Sequence, residues 1–326
     1  MAMGEPHVVK WLLDTRGLWP GATTTKQLAR EASRPLALLA PHEQSSILKY
    51  HFVKDAKMAL ASALLKRHAI TCSCAGRIPW SGALFTRDEH TKPVFRLPDG
   101  SEPLIFNVSH QAGLVCLLGV YAPPRDVSVG VDIACPSERR ERDHALVAED
   151  GWAKFVEMHD SVFSAGEAAR LKGLSFGHGH GHGGGGGGER GKGKGEGGAD
   201  LDARLGYFYA LWCLREAYVK MTGEALLAEW LGELEMRYFA PPGGKEEEEE
   251  EVVVVDGKAE KRRKLEIWFR GDRVDDVDVR MEWSLGEYMI CTAVRGNQHG
   301  GLDFGKEWTL LDMDQLLDAA EQASAR

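Results

Sequence analysis

If residues 205–222 form a helix, Phe208, Trp212, Glu216 and Lys220 fall in one row, at i, i+4, i+8 and i+12. Two aromatics then lead into a carboxylate and an ammonium. In its plainest form this is an i,i+4 ion pair at the edge of a packed face, worth roughly a few tenths of a kcal/mol. A carboxylate in line with Trp212 is also partly desolvated, which raises its pKa unless a cation compensates. A second acid, Asp132, stands near the end of an alternating run. Val127, Val129, Val131 and Ile133 face one way, and Ser128, Gly130 and Asp132 the other. Such an Asp often starts a turn or caps a helix. The preceding Gly130 admits the close approach of another backbone or of a ligand. If Asp132 and Glu216 converge, they supply two hard oxygen ligands, a set that Mg²⁺ completes with phosphate oxygens and water. That chemistry would be phosphoryl transfer. Asn107, Ser109 and His110 leave a further apolar run, and the Ser–His pair either donates to a phosphate or makes an ordinary turn. His110 could instead act as a base that activates a nucleophile, but no Gly-x-Ser-x-Gly elbow accompanies it. Arg87 and Lys92 add positive charge just upstream.

The elements that must carry these residues show as pattern. Residues 41–69 repeat Ile47, Val53, Met58, Leu60 and Leu64 at helical spacing, which predicts one long helix. Residues 103–108 and 113–121 read as strands, Pro123 and Pro124 as a break, and 127–133 as a further strand. Helical pattern returns over 152–174 and 205–222, and strand pattern over 251–255, 265–270 and 287–294. Helix then strands, twice over, predicts an α+β protein of two mixed halves, 1–124 and 125–326.

Composition sets the outer limits. The chain has 326 residues, 43% of them hydrophobic, and a formal net charge of −9. Two runs distort these totals. Residues 177–198 hold 14 of the 38 glycines with interleaved histidines, and the six glutamates 246–251 supply six of the nine excess negative charges. The first reads as a solvated linker that could hold metal only adventitiously. The second, with lysines and an arginine pair over 258–264, reads as the charged tip of a long hairpin, an insertion spanning about 242–264. An acidic chain without clustered Lys and Arg is not a general duplex binder. No apolar run approaches the roughly 20 residues of a membrane-spanning helix, and residues 1–6 lack a secretory pattern. Six scattered cysteines, with only Cys72 and Cys74 close, suit neither a zinc knuckle nor a redox pair and predict a reduced, cytoplasmic protein.

Taken together, the chain resembles the 4′-phosphopantetheinyl transferases of the larger, two-half (surfactin-synthetase-activating) type. The likeness is carried by Lys92 and Pro93, by Phe106 to His110, by Gly130 to Ile133, by Phe163 to Glu167, and by Trp212 to Lys220. It spans about residues 40–295 once the Gly/His run is taken as an insertion, and it is similar to broad-specificity eukaryotic, notably fungal, members. Some positions depart from the family pattern. Ala134 stands where many bacterial members have a second acid, Arg215 where Lys is common, and Gly223-Glu224-Ala225 where a Gly-x-Gly is usual. Lys49 and Lys54 both suit the basic position of the first long helix.

The resemblance implies transfer of 4′-phosphopantetheine from coenzyme A to a serine of an apo carrier protein, releasing adenosine 3′,5′-bisphosphate. It implies that Asp132 and Glu216 bind Mg²⁺, or Mn²⁺, on the pyrophosphate. Glu216 would take the serine proton and Lys220 would neutralise charge on the breaking pyrophosphate. Arg87, Lys92, Asn107, Ser109 and His110 would hold coenzyme A. The expected fold is a pseudo-twofold pair of α+β halves with the site in the cleft between them, complete in a monomer. Expected partners are the carriers of fatty acid, polyketide and nonribosomal peptide synthesis and of aminoadipate reductase in lysine biosynthesis. A Mg²⁺-dependent phosphoester hydrolase using the same two acids is the alternative enzyme. A carrier-protein or nucleotide binding module with structural acids is the non-enzymatic one.

Overall fold

The computed structural model describes residues 5–88, 92–175, 196–224, 228–242, 252–255, 258–261, 265–296 and 301–325. The first half runs through β1 (His7–Asp14), α1 (Thr25–Glu31), α2 (Ser33–Ala37), α3 (Pro41–Leu48) and α4 (Val53–Gly76). It continues with a small pair, β2 (Thr86–Arg87) and β3 (Pro93–Val94), and the hairpin β4 (Leu104–Gln111) and β5 (Leu114–Tyr121). The second half opens with β6 (Ser128–Ala134), then α5 (Pro136–Asp150), α6 (Trp152–Glu157), α7 (Ala165–Lys172) and α8 (Glu196–Thr222). Strands follow: β7 (Leu234–Arg237), β8 (Val252–Val255), β9 (Lys258–Lys261), β10 (Glu266–Phe269), β11 (Asp272–Arg273), β12 (Val277–Ser284) and β13 (Tyr288–Arg295). The described chain closes with β14 (Thr309–Leu310) and α9 (Met313–Ser324). Each half thus pairs a long helix with an antiparallel hairpin, α4 with β4–β5 and α8 with β12–β13. The architecture is α+β.

The sheets are ordered β14-β1-β5-β4 in the first half and β12-β13-β6 in the second. The β4–β5 turn needs two consecutive residues at positive φ. Ala112 (49°) and Gly113 (87°) provide them, the geometry that keeps a two-residue hairpin in step with strand twist. β5 is buried at every position because it has two partners. Val115, Leu117 and Tyr121 face the core with α4, while Leu114, Cys116, Leu118 and Val120 face a second core shared with Val129, Val131 and Ile133 of β6. That shared apolar layer joins the halves, and it explains why 114–121 reads as an unbroken apolar run.

Several elements differ from the sequence expectation. The helix expected over 41–69 is two helices, because the chain turns extended at Phe52 before α4 starts. The helix expected over 152–174 is also two. Ser164 begins α7 with a capping box, its hydroxyl accepting from the Glu167 N–H while the Glu167 carboxylate accepts from the Ser164 N–H. The chain's end does not stay with the second half. β14 pairs in parallel with β1, and Met313, Leu316, Leu317 and Ala320 of α9 complete the first half's core. The division at 124 therefore leaves the first half short of an edge strand and a helix. The Gly/His run lies outside the described residues except for its last three, which begin α8, and so do the six glutamates. β8 and β9 pair as a short hairpin, so that residues 258–261, expected within a hairpin tip, form a strand.

The close approach at Gly130 is made by α8. An added Cβ would stand 2.1 Å from the Ala217 carbonyl oxygen and 2.4 Å from the Met221 nitrogen, both backbone atoms that cannot rotate away. Gly119 on β5 is also tight, but its nearest neighbours are side-chain carbons of Val9 and Leu104 at 3.1 and 3.3 Å. Gly130→Ala is expected to cost about 3 kcal/mol in urea unfolding and Gly119→Ala about 1 kcal/mol. Equal losses would contradict a backbone limit at Gly130.

Candidate active site

With Ala217 and Met221 of α8 seated on Gly130, the next ridge of the helix, Glu216 and Lys220, overhangs the strand end that carries Asp132. Lys220 Nζ donates to Asp132 Oδ1 at 2.6 Å and to Ser109 Oγ at 2.9 Å, and Ser109 Oγ in turn donates to Asp132 Oδ1 at 2.9 Å. Ser109 lies on β4, so this triangle crosses the seam between the halves. Asn107, two residues earlier on the same face, accepts from the Val131 N–H at 3.0 Å and stitches β4 to β6. Asp132 and Ser109 are buried, while Lys220 and Glu216 are half-buried.

Glu216 forms no hydrogen bond or ion pair among the described residues. Burial, and then the charge of Asp132, push its pKa up to about 7, with Lys220 pulling the other way. Burial alone would lower the Lys220 pKa, but the carboxylates of Asp132 and Glu216 outweigh it and hold the pKa above the ordinary value. Two acids and one ammonium thus share a small volume, with negative charge in excess. Among the described residues no third His, Cys, Asp or Glu joins them. Such a donor set fits a hard divalent cation completed by phosphate oxygens and water, and not a soft-metal site.

The other expected residues are placed as follows. Lys92 Nζ donates to the carbonyls of Val129 (3.2 Å) and Met221 (3.4 Å), bracing β6 against the end of α8, and burial lowers its pKa. Arg87 is exposed on β2. His110 reaches the surface at the cavity rim. The protein around its ring, and then the charges of Lys220 and Lys66, hold its pKa below the usual value. Lys66 had no place in the sequence reading. Burial, and then Arg87, lower its pKa to about 8, and its Nζ sits 4.4 Å from the centre of the Phe85 ring. The only signal for it was a lysine interrupting the apolar face of α4 after Leu64 and Leu65. Of the two candidate helix lysines, Lys54 forms an ion pair with Glu138 of α5 at 2.8 Å, and Lys49 is the exposed C-cap of α3.

Two supports fix α8 at this point. Arg215, fully buried, donates to Glu167 Oε2 at 2.6 Å and to the carbonyls of Leu234 (2.7 Å) and Leu231. Glu167 also accepts from the Met236 N–H at 2.7 Å, so one buried pair ties α7, α8 and β7 together. Phe163 packs edge-on against Phe208 and Trp212, which line a cavity of about 400 Å³ also bounded by Ser109, Asp132 and Lys220.

A seam between two α+β halves, with two acids, a lysine and nearby cations, has the charges that a phosphorylated ligand with a divalent cation would need. Residues 26–121 match the family described as 4′-phosphopantetheinyl transferase, N-terminal, and residues 128–245 match the 4′-phosphopantetheinyl transferase superfamily. The chain is 49% identical to 4′-phosphopantetheinyl transferase 1 of Fusarium mangiferae, over 99% of this chain and 98% of that one. It is 37% identical to 4′-phosphopantetheinyl transferase of Aureobasidium melanogenum (88% and 90%) and 32% identical to 4′-phosphopantetheinyl transferase NpgA of Emericella nidulans (92% and 85%). The chain belongs to the 4′-phosphopantetheinyl transferase superfamily, enzymes that use coenzyme A as substrate and transfer phosphopantetheine to carrier proteins.

Breaking the buried pair by Glu167→Gln leaves Arg215 uncompensated and is expected to cost about 3–5 kcal/mol in urea unfolding. A loss under 1 kcal/mol would mean that water reaches Arg215. A pH effect follows from Glu216, whose folded pKa of about 7 stands above its ordinary 4.5. The folded chain holds that proton more tightly than the unfolded one. This group therefore favours folding at low pH and loses that contribution as pH rises from about 4.5 through 7. Mg²⁺ is accordingly expected to raise Tm more at pH 8 than at pH 5.5, by scanning fluorimetry, with Asp132→Asn shrinking the difference. Equal shifts at both pH values would count against the acid pair as the cation site.

Proposed function

We propose that this enzyme moves 4′-phosphopantetheine from coenzyme A to a serine of apo carrier proteins, with Asp132, Glu216 and Lys220 around the pyrophosphate. The observation that carries this reading is the convergence of Asp132 and Lys220 with Ser109 at the seam, next to the half-buried Glu216 carboxyl, whose pKa stands near neutrality. The serine oxygen forms a bond to the phosphorus that bears the pantetheine arm. The bond from that phosphorus to the bridging oxygen breaks, and adenosine 3′,5′-bisphosphate leaves with the electron pair. Glu216, directly or through a water, accepts the serine proton, a task suited to a pKa near the working pH. Lys220 faces the charge that gathers on the leaving phosphate. Asp132 and Glu216 would hold Mg²⁺ or Mn²⁺, which when bound supplies charge neutralisation at the pyrophosphate. Arg87 and Lys66 supply positive charge on the first half, and His110 beside them a hydrogen-bonding ring, a set suited to the nucleotide's remaining phosphate, and Asn107 and Lys92 hold the seam on which these contacts rest.

Neither alternative raised by the sequence, hydrolase or binding module, finds support among the relatives. A relative from Schizosaccharomyces pombe is named L-aminoadipate-semialdehyde dehydrogenase-phosphopantetheinyl transferase and is 30% identical over 40% of this chain. That name supports including aminoadipate reductase carriers beside fatty acid, polyketide and nonribosomal peptide carriers. Six unpaired cysteines accord with a cytoplasmic setting. With coenzyme A, Mg²⁺ and an apo carrier domain, the carrier is expected to gain the mass of one phosphopantetheine. Glu216→Gln is expected to lower kcat by about 10²–10⁴-fold with the fold retained. Coenzyme A breakdown without carrier labelling would instead indicate hydrolysis.

A further inference from the structure

The cavity at the seam has two characters. Its lining joins the charged triangle of Asp132, Lys220 and Ser109, with Glu138, Arg139, Arg142 and Asp143 of α5, to a wall of Phe155, Met158, Phe208 and Trp212. An imidazole ring, that of His159, is set into that wall. It lies 4.9 Å from Phe208 at 68°, 5.9 Å from Trp212 at 90° and 5.2 Å from Phe155, measured between ring centres. Its Nδ1 is 2.8 Å from the Phe155 carbonyl oxygen. A carbonyl oxygen only accepts, so in the neutral ring Nδ1 carries the hydrogen and Nε2 is a bare acceptor. Among the described residues Nε2 has no partner.

A substrate held by its pyrophosphate at the charged triangle can lay its uncharged end along the rest of the same cavity. For coenzyme A the part beyond the pyrophosphate is a thin, uncharged arm with two amides and a thiol. Its methyl and methylene groups suit an aromatic wall, and each amide N–H needs an acceptor once water is excluded. We propose that His159 Nε2 accepts a hydrogen bond from an amide N–H of the pantetheine arm, making His159 a substrate-binding residue that aligns the arm along α8. The inference rests on the function proposed above. It explains why a ring with an acceptor stands where the surrounding aromatics would accommodate another phenyl group.

The test compares two ligands that share the nucleotide and differ in the arm, coenzyme A and adenosine 3′,5′-bisphosphate, by titration calorimetry with Mg²⁺ present. His159→Phe keeps an aromatic ring in the nest and removes the acceptor. It is expected to weaken coenzyme A about 3- to 10-fold, the worth of one such hydrogen bond, and to leave adenosine 3′,5′-bisphosphate unchanged. His159→Gln, which restores an acceptor, should recover part of the loss. In turnover, KM for coenzyme A should rise while KM for the carrier holds. Equal weakening of both ligands, no weakening of either, or a rise confined to the carrier KM would overturn the assignment. A second readout needs no variant. The ¹⁵N resonance of His159 Nε2 in the unaltered protein should shift on adding coenzyme A and not on adding adenosine 3′,5′-bisphosphate, and the same shift with both would also overturn it. If the unaltered protein bound neither ligand, the functional reading itself would fail, an outcome distinct from these.

Discussion

No Cβ fits between α8 and β6 at Gly130, and the placement of the charged groups follows from that contact. Ala217 and Met221 are four residues apart, so they form one ridge of α8, and it is this ridge that rests on the strand. Glu216 and Lys220 are each one residue earlier and form the adjacent ridge. They are therefore held beside β6, above the side chain two positions beyond Gly130 on the same face. That side chain is Asp132. Arg215, one further residue back, turns away from the strand and finds Glu167. Three consecutive helix positions thus serve anchoring, chemistry and packing because each rotates about 100° from the last. Any shift of α8 from β6 would move the acid and the ammonium together and leave Asp132 behind.

The electrostatics of the seam build on this geometry. Lys220 bridges Asp132 and Ser109, while Glu216 bears the unfavourable share of burial and of Asp132's charge. The buried Arg215–Glu167 pair lies one residue away yet is closed on itself by four backbone groups, those of Met236, Leu234, Leu231 and Ser164. The two acids of α7 and α8 therefore have opposite fates. Glu167 is saturated by donors and fixes the helix, whereas Glu216 is left short of them and available to a cation or a proton. Across the seam, Lys66 and Arg87 are positive, and His110 stands beside Lys66; burial first, and then neighbouring positive charge, lowers the pKa values of Lys66 and His110. Each half thus holds a surplus of one sign, and a ligand joining phosphates to a metal would relieve both.

Local periodicity made some of this readable from sequence. The row Phe208, Trp212, Glu216, Lys220 and the two-faced run 127–133 depend on the repeat of a single element, and both lie where that repeat puts them. The partial desolvation of Glu216 followed from Trp212 one turn away. What required the structure was contact between distant segments. Gly130 gave notice of a close neighbour but not that it was a helix. Lys92 looked like one more loop cation, whereas it spans two backbone carbonyls from β6 and α8. α5, with only Asp143 buried, has too few apolar residues to show a period, so its Glu138 and its partnership with Lys54 were invisible. The return of α9 to the first half is likewise a matter of which core accepts an amphipathic helix, and no local pattern encodes that choice.

The same helix also explains why the site is long. From Phe208 to Lys220 the axis rises by about 18 Å at about 1.5 Å per residue. One continuous line of side chains therefore passes from fully apolar to fully charged. A protein that only hydrolysed a phosphoester would need the charged end alone, open to water. Here Glu216 stands between the Lys220 ammonium and the aromatic wall, so in the proposed reaction the group beside the reacting phosphorus would lie against apolar side chains on that face. Competition between water and an incoming hydroxyl is decided by which of them is held in line and which is kept out. The aromatic extension of α8 performs the second task in the same stroke that raises the Glu216 pKa. In the proposed reaction desolvation would therefore be one physical cause with two chemical effects, a Glu216 carboxyl tuned to neutrality and a phosphorus turned toward a protein-borne nucleophile.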